Sequence, residues 1–341
     1  MFRILALAGG GLRGAFAIGV LAELEKRLDA PLSEYFDLIA GTSTGSITAS
    51  ALCCGMSAAD VETFYNKHSE AIFHARDPYV PKARYRWIYP TARKLLGRRA
   101  KMNLDHFFQS RYCPFRLTAS MEDGFGDQRM RDADRCRLIV PAVNLTDGVT
   151  AVFRTPHLPI ERPEYDYRVA DIIVAAAAAP TYFPHKTLPD GKDYADGGLW
   201  AIDPGVVALS EAARILAEGK PETDEGLDLS QVEMLSIGTG QSTYSLTPPG
   251  GDAGMLFWSR HVAEVMSISQ VQGTQLPLSI VLGKRYHHLN FPMTDSSWTL
   301  DNTAATKPLF AEGHRVGGEV FERLAPRFFA ERTEKYVKRS G

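Results

Sequence analysis

Two glycine-rich segments hold the residues best placed to do chemistry. The first, Gly9-Gly10-Gly11-Leu12-Arg13-Gly14, follows the apolar run Ile4-Leu5-Ala6-Leu7; the second, Gly41-Thr42-Ser43-Thr44-Gly45, follows Asp37-Leu38-Ile39-Ala40. Each reads as a strand, a tight turn and a helix start. A helix N-terminus leaves backbone N–H groups without intrahelical acceptors, so the first segment suits a developing oxyanion. The second has the spacing of a nucleophile elbow, in which Gly41 and Gly45 permit a sharp turn that lifts the Ser43 hydroxyl out of the sheet. An oxyanion binder and an activated serine on neighbouring loops are two of the three parts of acyl transfer. The third is a base.

Each part admits a second reading. Residues 9–14 also fit the G-x-G-x-x-G of dinucleotide binding, so a nucleotide-binding module is the rival from another class. That rival wants an acidic residue closing the second strand; here Glu34 and Asp37 precede the strand and Ser43 follows it. A Ser-Asp-His order would take its base from His261, His287, His288 or His314. None of these falls in a recognisable strand-end loop, and Ser43 follows the second strand rather than a later one. Asp196, in Asp196-Gly197-Gly198, sits in a turn signal shared with Asp123, Asp147 and Asp190, so alone it does not stand out.

The elements that must position these groups are legible from periodicity. Phe16, Val20, Leu21, Leu24 and Leu28 recur at helical spacing over 15–28, and a second helix is expected over 46–54. The resulting βαβα opening implies parallel strands with the active residues at their carboxyl ends. Residues 57–75 read as a helix capped by Ser57, 137–143 and 232–237 as buried strands, and 151–154 as a short partner. The alanine-rich stretch from 169 is expected to be helical to Ala179, ending at Pro180, and 192–195 approaches Asp196 as a short strand. The last third is less patterned, apart from an amphipathic segment over 316–329 and a basic tail of Lys335, Lys338 and Arg339.

With 341 residues, 45% of them hydrophobic, and no long Ser/Gly/Pro linker or repeat, the chain is expected to form one α/β unit over 1–341. Residues 241–341 then belong to the same unit. A formal net charge of -2 gives no reason to expect a nucleic-acid polymer as partner. Cys53, Cys54, Cys113 and Cys136 lack metal-ligand spacing and read as reduced, packed thiols. With no secretory signal and no apolar run near the ~18 residues of a membrane span, a cytoplasmic protein is expected. One stretch departs in texture. Residues 78–101 carry Lys82, Arg84, Arg86, Arg93, Lys94, Arg98, Arg99 and Lys101 among Tyr79, Tyr85, Trp87, Ile88, Tyr89, Leu95 and Leu96, with no acidic residue. Such an insert suits a solvated basic face, a lipid-facing lid or the site of an anionic regulator.

The order of motifs is similar to that of the patatin-like phospholipases. The glycine segment, Gly41–Gly45 with Asp37 four residues ahead, Ala178-Ala179-Pro180-Thr181-Tyr182-Phe183-Pro184, Asp196-Gly197-Gly198 and Leu235-Ser236-Ile237-Gly238-Thr239-Gly240 stand in register over residues 2–240. The chain resembles bacterial members, with one departure at Ile202-Asp203-Pro204, where the family commonly has asparagines before the proline. The resemblance implies a three-layer α/β/α fold with a mostly parallel central sheet, and a lipid acyl hydrolase of phospholipase A or lysophospholipase type. It implies a Ser-Asp dyad in which Ser43 attacks an ester carbonyl and Asp196 takes its proton, histidine being dispensable. It further implies an oxyanion hole of Gly10, Gly11 and Leu12, supported by Gly9, Gly14, Gly41, Gly45, Gly197 and Gly198, and an Arg13 contact to a phospholipid phosphate. No metal and no cofactor are implied. The substrate would be a phospholipid or other acyl ester met at a membrane surface; an acyltransferase using the same serine is the alternative within enzymes. Some compact bacterial members are membrane-degrading effectors switched on by cyclic oligonucleotides in antiviral defence, so such an activator is a candidate partner here.

Overall fold

The computed structural model describes residues 1–80, 89–91, 93–94, 104–218, 228–242, 247–293, 295, 297–334 and 336–338. Most of the basic insert, including Lys82, Arg84, Arg86, Arg98, Arg99 and Lys101, lies outside the described residues, as do Lys335 and Arg339 of the tail.

The strands are β1 (Phe2–Leu7), β2 (Leu38–Gly41), β3 (Arg137–Asn144), β4 (Val149–Arg154), β5 (Lys186–Thr187), β6 (Asp193–Asp196), β7 (Val232–Ile237), β8 (Gln241–Ser242), β9 (Tyr286–Leu289) and β10 (Pro292–Met293). The main sheet runs β5-β6-β3-β2-β1-β7-β9, with β4 also paired to β3. From β3 through β2, β1 and β7 to β9 all pairings are parallel. At the other edge β6 lies antiparallel to β3, and β5 antiparallel to β6. The sheet is therefore mixed, with its parallel part in the middle. All six residues of β1 and all six of β7 are buried, as in strands covered on both faces.

Eight helices among the described residues flank the sheet: α1 (Gly14–Glu25), α2 (Thr44–Cys53), α3 (Ala58–Ile72), α4 (Pro114–Phe125), α5 (Val169–Ala176), α6 (Gly205–Ala217), α7 (Met255–Leu282) and α8 (Thr306–Leu324). Leu5 and Leu7 of β1 face one core, with Phe16 and Leu24 of α1, Ile47 of α2 and Leu309 of α8. Ile4 and Ala6 face the other, with Ala208 and Ala212 of α6 and Leu278 and Leu282 of α7. Alternation along a single strand thus generates both layers of the sandwich.

Three helices hold their expected places within a few residues, α3 with the predicted Ser57 cap, whose Oγ accepts from the Asp60 N–H at 3.1 Å. The alanine-rich helix α5 ends three residues sooner than expected, at Ala176. Backbone after it is diverted to the site: the Asp196 N–H donates to Ala178 O, and Thr181 turns with φ 71°. No helix among the described residues is long and apolar enough to cross a membrane.

The final third closes the structure rather than trailing from it. β9 pairs with β7, and α8 lies directly on α1 through facing glycines. A Cβ on Gly313 would overlap Phe16 O, and one on Gly19 would lie 2.5 Å from Phe310 O. The two backbones approach this closely only because neither position carries a side chain. Gly313→Ala should therefore force α8 off α1 and lower stability by roughly 1–3 kcal/mol, read as a fall in Tm; an unchanged Tm contradicts this packing.

Candidate active site

The glycine segment leaves the carboxyl end of β1 in the centre of the sheet. Its first turn is tied down on three sides: the Ala8 N–H donates to Ile237 O, the Gly9 N–H to Ile202 O, and Thr239 Oγ1 to Gly9 O. Close approach explains the glycines. A Cβ on Gly9 would meet Ser43 Cβ at 3.0 Å, and one on Gly10 would run into the Thr239 side chain. Gly11 adopts φ +57°, and Gly14 opens α1 against Thr44. Among the described residues no acceptor meets the Gly10 and Gly11 N–H groups, so these are the donors the loop retains for an incoming oxygen.

Leu12 departs from expectation. Its N–H, the third donor expected of the oxyanion hole, donates instead to Leu300 O at 2.8 Å. The reason lies in the last third of the chain, where residues 299–302 fold over the loop so closely that the Leu300 carbonyl fills the space a Gly11 side chain would need.

Ser43 ends the turn after β2 and precedes α2. With φ 53° and ψ -121° it is, with Thr181, one of two non-glycine residues of positive φ among those described. Such a strained strand-to-helix turn has the backbone geometry of a nucleophile elbow. The strain is held by the neighbours: the Thr42 N–H donates to Leu7 O, Thr42 Oγ1 to Ala201 O at 2.6 Å, and Ser46 Oγ to Ser43 O. A Cβ on Gly45 would overlap Leu7 O, and one on Gly41 would overlap Gly45 O, so both glycines let α2 press against the strands.

Asp196 comes from the antiparallel part of the sheet. β6 enters from beyond the carboxyl edge and stops opposite Ala142 of β3, level with the two glycine loops. There Ser43 Oγ donates to Asp196 Oδ2 at 2.6 Å, and the Gly198 N–H donates to Oδ1 at 2.6 Å. Gly197 packs its bare Cα on Pro141 O. The carboxyl is 4% exposed. Burial pushes its pKa from the usual carboxylate range up to about 6, against the opposing pull of the Ser43 and Gly198 hydrogen bonds.

No histidine lines the cavity around this pair among the described residues. His287 pairs with Glu233, His288 with Ser236 and Gln275, and His314 with Glu62. The variant Asp203 proves structural. Buried behind the site, it accepts from the Gly205 N–H at 2.9 Å and from Ser236 Oγ at 3.1 Å, joining α6 to β7.

The cavity measures about 820 Å³ and is walled by apolar side chains such as Ile47, Ile72, Phe73, Phe183 and Trp298. Such a space accepts an acyl chain of ordinary size. Arg13 stands on its rim, with Nη1 3.4 Å from Met293 Sδ, a weak acceptor. The roof is α7, which sequence reading missed: Gln270 bridges Leu199 O and the Ile202 N–H. Met255, Trp258, Leu276 and Ile280 stand exposed along α7, and Val262 and Met266, also exposed, line the cavity. Their spacing of three, four and seven residues, or multiples of it, places them on one side of a helix, a signal present in the sequence.

Fold and site together define the class: an α/β sandwich presenting a serine and a buried carboxylate beside a glycine-rich loop. The family model described as patatin-like phospholipase matches residues 5–204, and the chain belongs to that family. It is similar to the cGAMP-activated phospholipase of Vibrio cholerae serotype O1, with 32% identity over 94% of this chain and 92% of that protein. The cGAMP-activated phospholipase of Pseudomonas aeruginosa is 31% identical over 85% of this chain and 78% of its own length. That of Escherichia coli strain TW11681 is 35% identical, over 72% and 64%.

A carboxylate whose folded pKa lies above its ordinary value supports folding while protonated and costs stability as pH rises through about 6. Asp196→Asn should therefore raise Tm at pH 7.5 by a few degrees, corresponding to up to about 3 kcal/mol, with the difference vanishing below about pH 4. An equal Tm at pH 7.5 would show that the carboxylate is solvated in solution.

Proposed function

We propose that this chain is a phospholipid acyl hydrolase working through Ser43 and Asp196. The observation that carries the reading is the direct 2.6 Å hydrogen bond from Ser43 Oγ to Asp196 Oδ2 in an apolar cavity whose described lining holds no histidine. Ser43 Oγ attacks the ester carbonyl while its proton passes to Asp196 Oδ2. The N–H groups of Gly10 and Gly11 hold the tetrahedral oxyanion, each donor being worth on the order of 3 kcal/mol in the transition state. Collapse breaks the ester C–O bond, and the leaving lyso-lipid oxygen takes the proton from Asp196. Water then attacks the acyl-serine, giving its proton to the same carboxylate. A second collapse returns that proton to Ser43 and releases the fatty acid.

A carboxyl of ordinary acidity is a weak base for a hydroxyl, and burial offsets this by bringing Asp196 nearer to neutral pH. Arg13 supplies a guanidinium fork for the headgroup phosphate. The apolar outer face of α7, beside the cavity mouth, and the basic stretch 78–101 are the parts suited to a membrane surface. We read residues 1–341 as a single catalytic unit, since 241–341 supply the roof, β9 and α8. The named relatives further support activation by cyclic GMP-AMP.

Ser43→Ala should lose phospholipid hydrolysis by on the order of a thousandfold or more. Replacement of His261, His287, His288 or His314 by Gln should leave kcat within a few-fold. The wild-type rate should fall tenfold per pH unit below about pH 6 and level off above it. Activity persisting in Ser43→Ala, or lost with any one of these histidines at unchanged Tm, refutes the dyad.

A further inference from the structure

A second cavity of about 610 Å³ lies against the loop that follows α5. Ala178 and Thr181 line it, Ala177, Ala179 and Tyr182 line the active-site cavity, and Pro180 and Phe183 line both, so one loop forms the wall between the two spaces. Its other wall carries Arg76, Tyr79, His106 and Phe108, with His185 completing the rim. Tyr79 and Phe108 stack at 5.1 Å and 18°, and Phe108 is 58% exposed, leaving an aromatic face open to a further ring. None of the described lining residues is acidic. The nearby Asp105 is neutralised by Arg93 at 3.2 Å and accepts from Tyr89 at 2.7 Å. Flat rings to stack on, the Arg76 guanidinium and no carboxylate suit a ligand of bases joined by phosphodiesters.

The same wall connects to the glycine loop by a short chain of contacts. Arg76 Nη1 donates to Ser110 Oγ at 3.2 Å, and the Arg76 N–H donates to Arg111 O. The Arg111 and Tyr112 N–H groups donate to Thr181 O and Tyr182 O, so residues 111–112 are held between the two walls. Both side chains then reach Asp301 Oδ2, Arg111 at 2.5 Å and Tyr112 at 2.6 Å. Asp301 follows Leu300, the residue whose carbonyl occupies the Leu12 N–H. From the cavity to the oxyanion donors the path is Ser110, Arg111, Asp301, Leu300.

We propose that this second cavity, built on Arg76, Tyr79, His106, Phe108 and His185, binds a cyclic dinucleotide, and that occupancy is relayed through residues 110–112 to release Leu300 from the glycine loop. The inference rests on the reading of the chain as activated by cyclic GMP-AMP and adds the place and the means. A ligand gripping Arg76 and stacking on Phe108 shifts the segment that latches Asp301. The Leu12 N–H then becomes a third donor, and the space over Gly11 opens to the substrate carbonyl.

The test is calorimetry with cyclic GMP-AMP on the full chain, its Arg76→Gln and Phe108→Ser variants, and a latch variant, Asp301→Asn, each with its melting curve. Both cavity variants change exposed side chains, and each should weaken binding at least tenfold while melting as the parent does. Asp301→Asn, or Arg111→Gln as a second route to the same break, should still bind and should hydrolyse a soluble ester several-fold faster without the ligand. Parent and both cavity variants binding within twofold of one another overturns the site while leaving the activator reading intact. No binding by the parent overturns that reading and the site with it. Latch variants that retain the parent's stimulation ratio overturn the relay.

Discussion

Everything near the centre of this molecule serves one unfavourable arrangement, a carboxylate kept out of water within hydrogen-bond reach of a serine. Asp196 is buried at the end of β6, and its two oxygens are satisfied by Ser43 Oγ and the Gly198 N–H. Two hydrogen bonds do not replace full hydration, and the raised pKa reflects the shortfall. The fold accepts that cost at a point where the sheet changes character. Parallel strands β1 and β2 deliver the glycine loop and the elbow from one direction, and antiparallel β6 brings the acid to meet them from the other. A wholly parallel sheet would place all three groups at the ends of strands running the same way. The reversal at β3 lets the acid be carried in on a strand rather than on a long loop.

Much of this was readable in advance, and the pattern of what was not is instructive. β1, β2, β7 and the helices after the first two strands carry strong, local signals: buried apolar runs, glycine turns and a capping box. Ser43 could be named because the elbow is a local conformation. Asp196 could not be chosen on local grounds, since its Asp-Gly signal occurs elsewhere in the chain; the register of motifs singled it out. Leu12 shows the limit from the other side. Its N–H looks available in any reading of the first loop, and it is taken by a carbonyl 288 positions further along. Contacts of that range leave no trace in the spacing of either segment. The early end of α5 is of the same kind, because alanines favour a helix and a distant strand draws Ala178 out of it.

The last third of the chain also changes what the cavity is. Its floor, with Ser43 and Asp196, belongs to the first two hundred residues, but its roof and the cover over the glycine loop belong to residues 255–301. α7 is anchored at its far end by Leu278 and Leu282, while its leading half exposes Met255 and Trp258 and lines the cavity with Val262 and Met266. The Ser43–Asp196 pair and the roof above it thus come from separate stretches of sequence. Variation in one need not disturb the other.

The place of β1 has a consequence for how the protein comes into being. It precedes β2 to β10 in the sequence, yet it ends between β2 and β7, and the helix it leads into is covered by α8. The glycine loop cannot be clamped by Ile202, Ile237 and Thr239 until more than two hundred residues have followed it, nor α1 sheltered until the ribosome has passed residue 324. At common rates of translation that is a delay of roughly 15–60 s. A nascent chain still on the ribosome therefore carries its serine without the scaffold that would arm it.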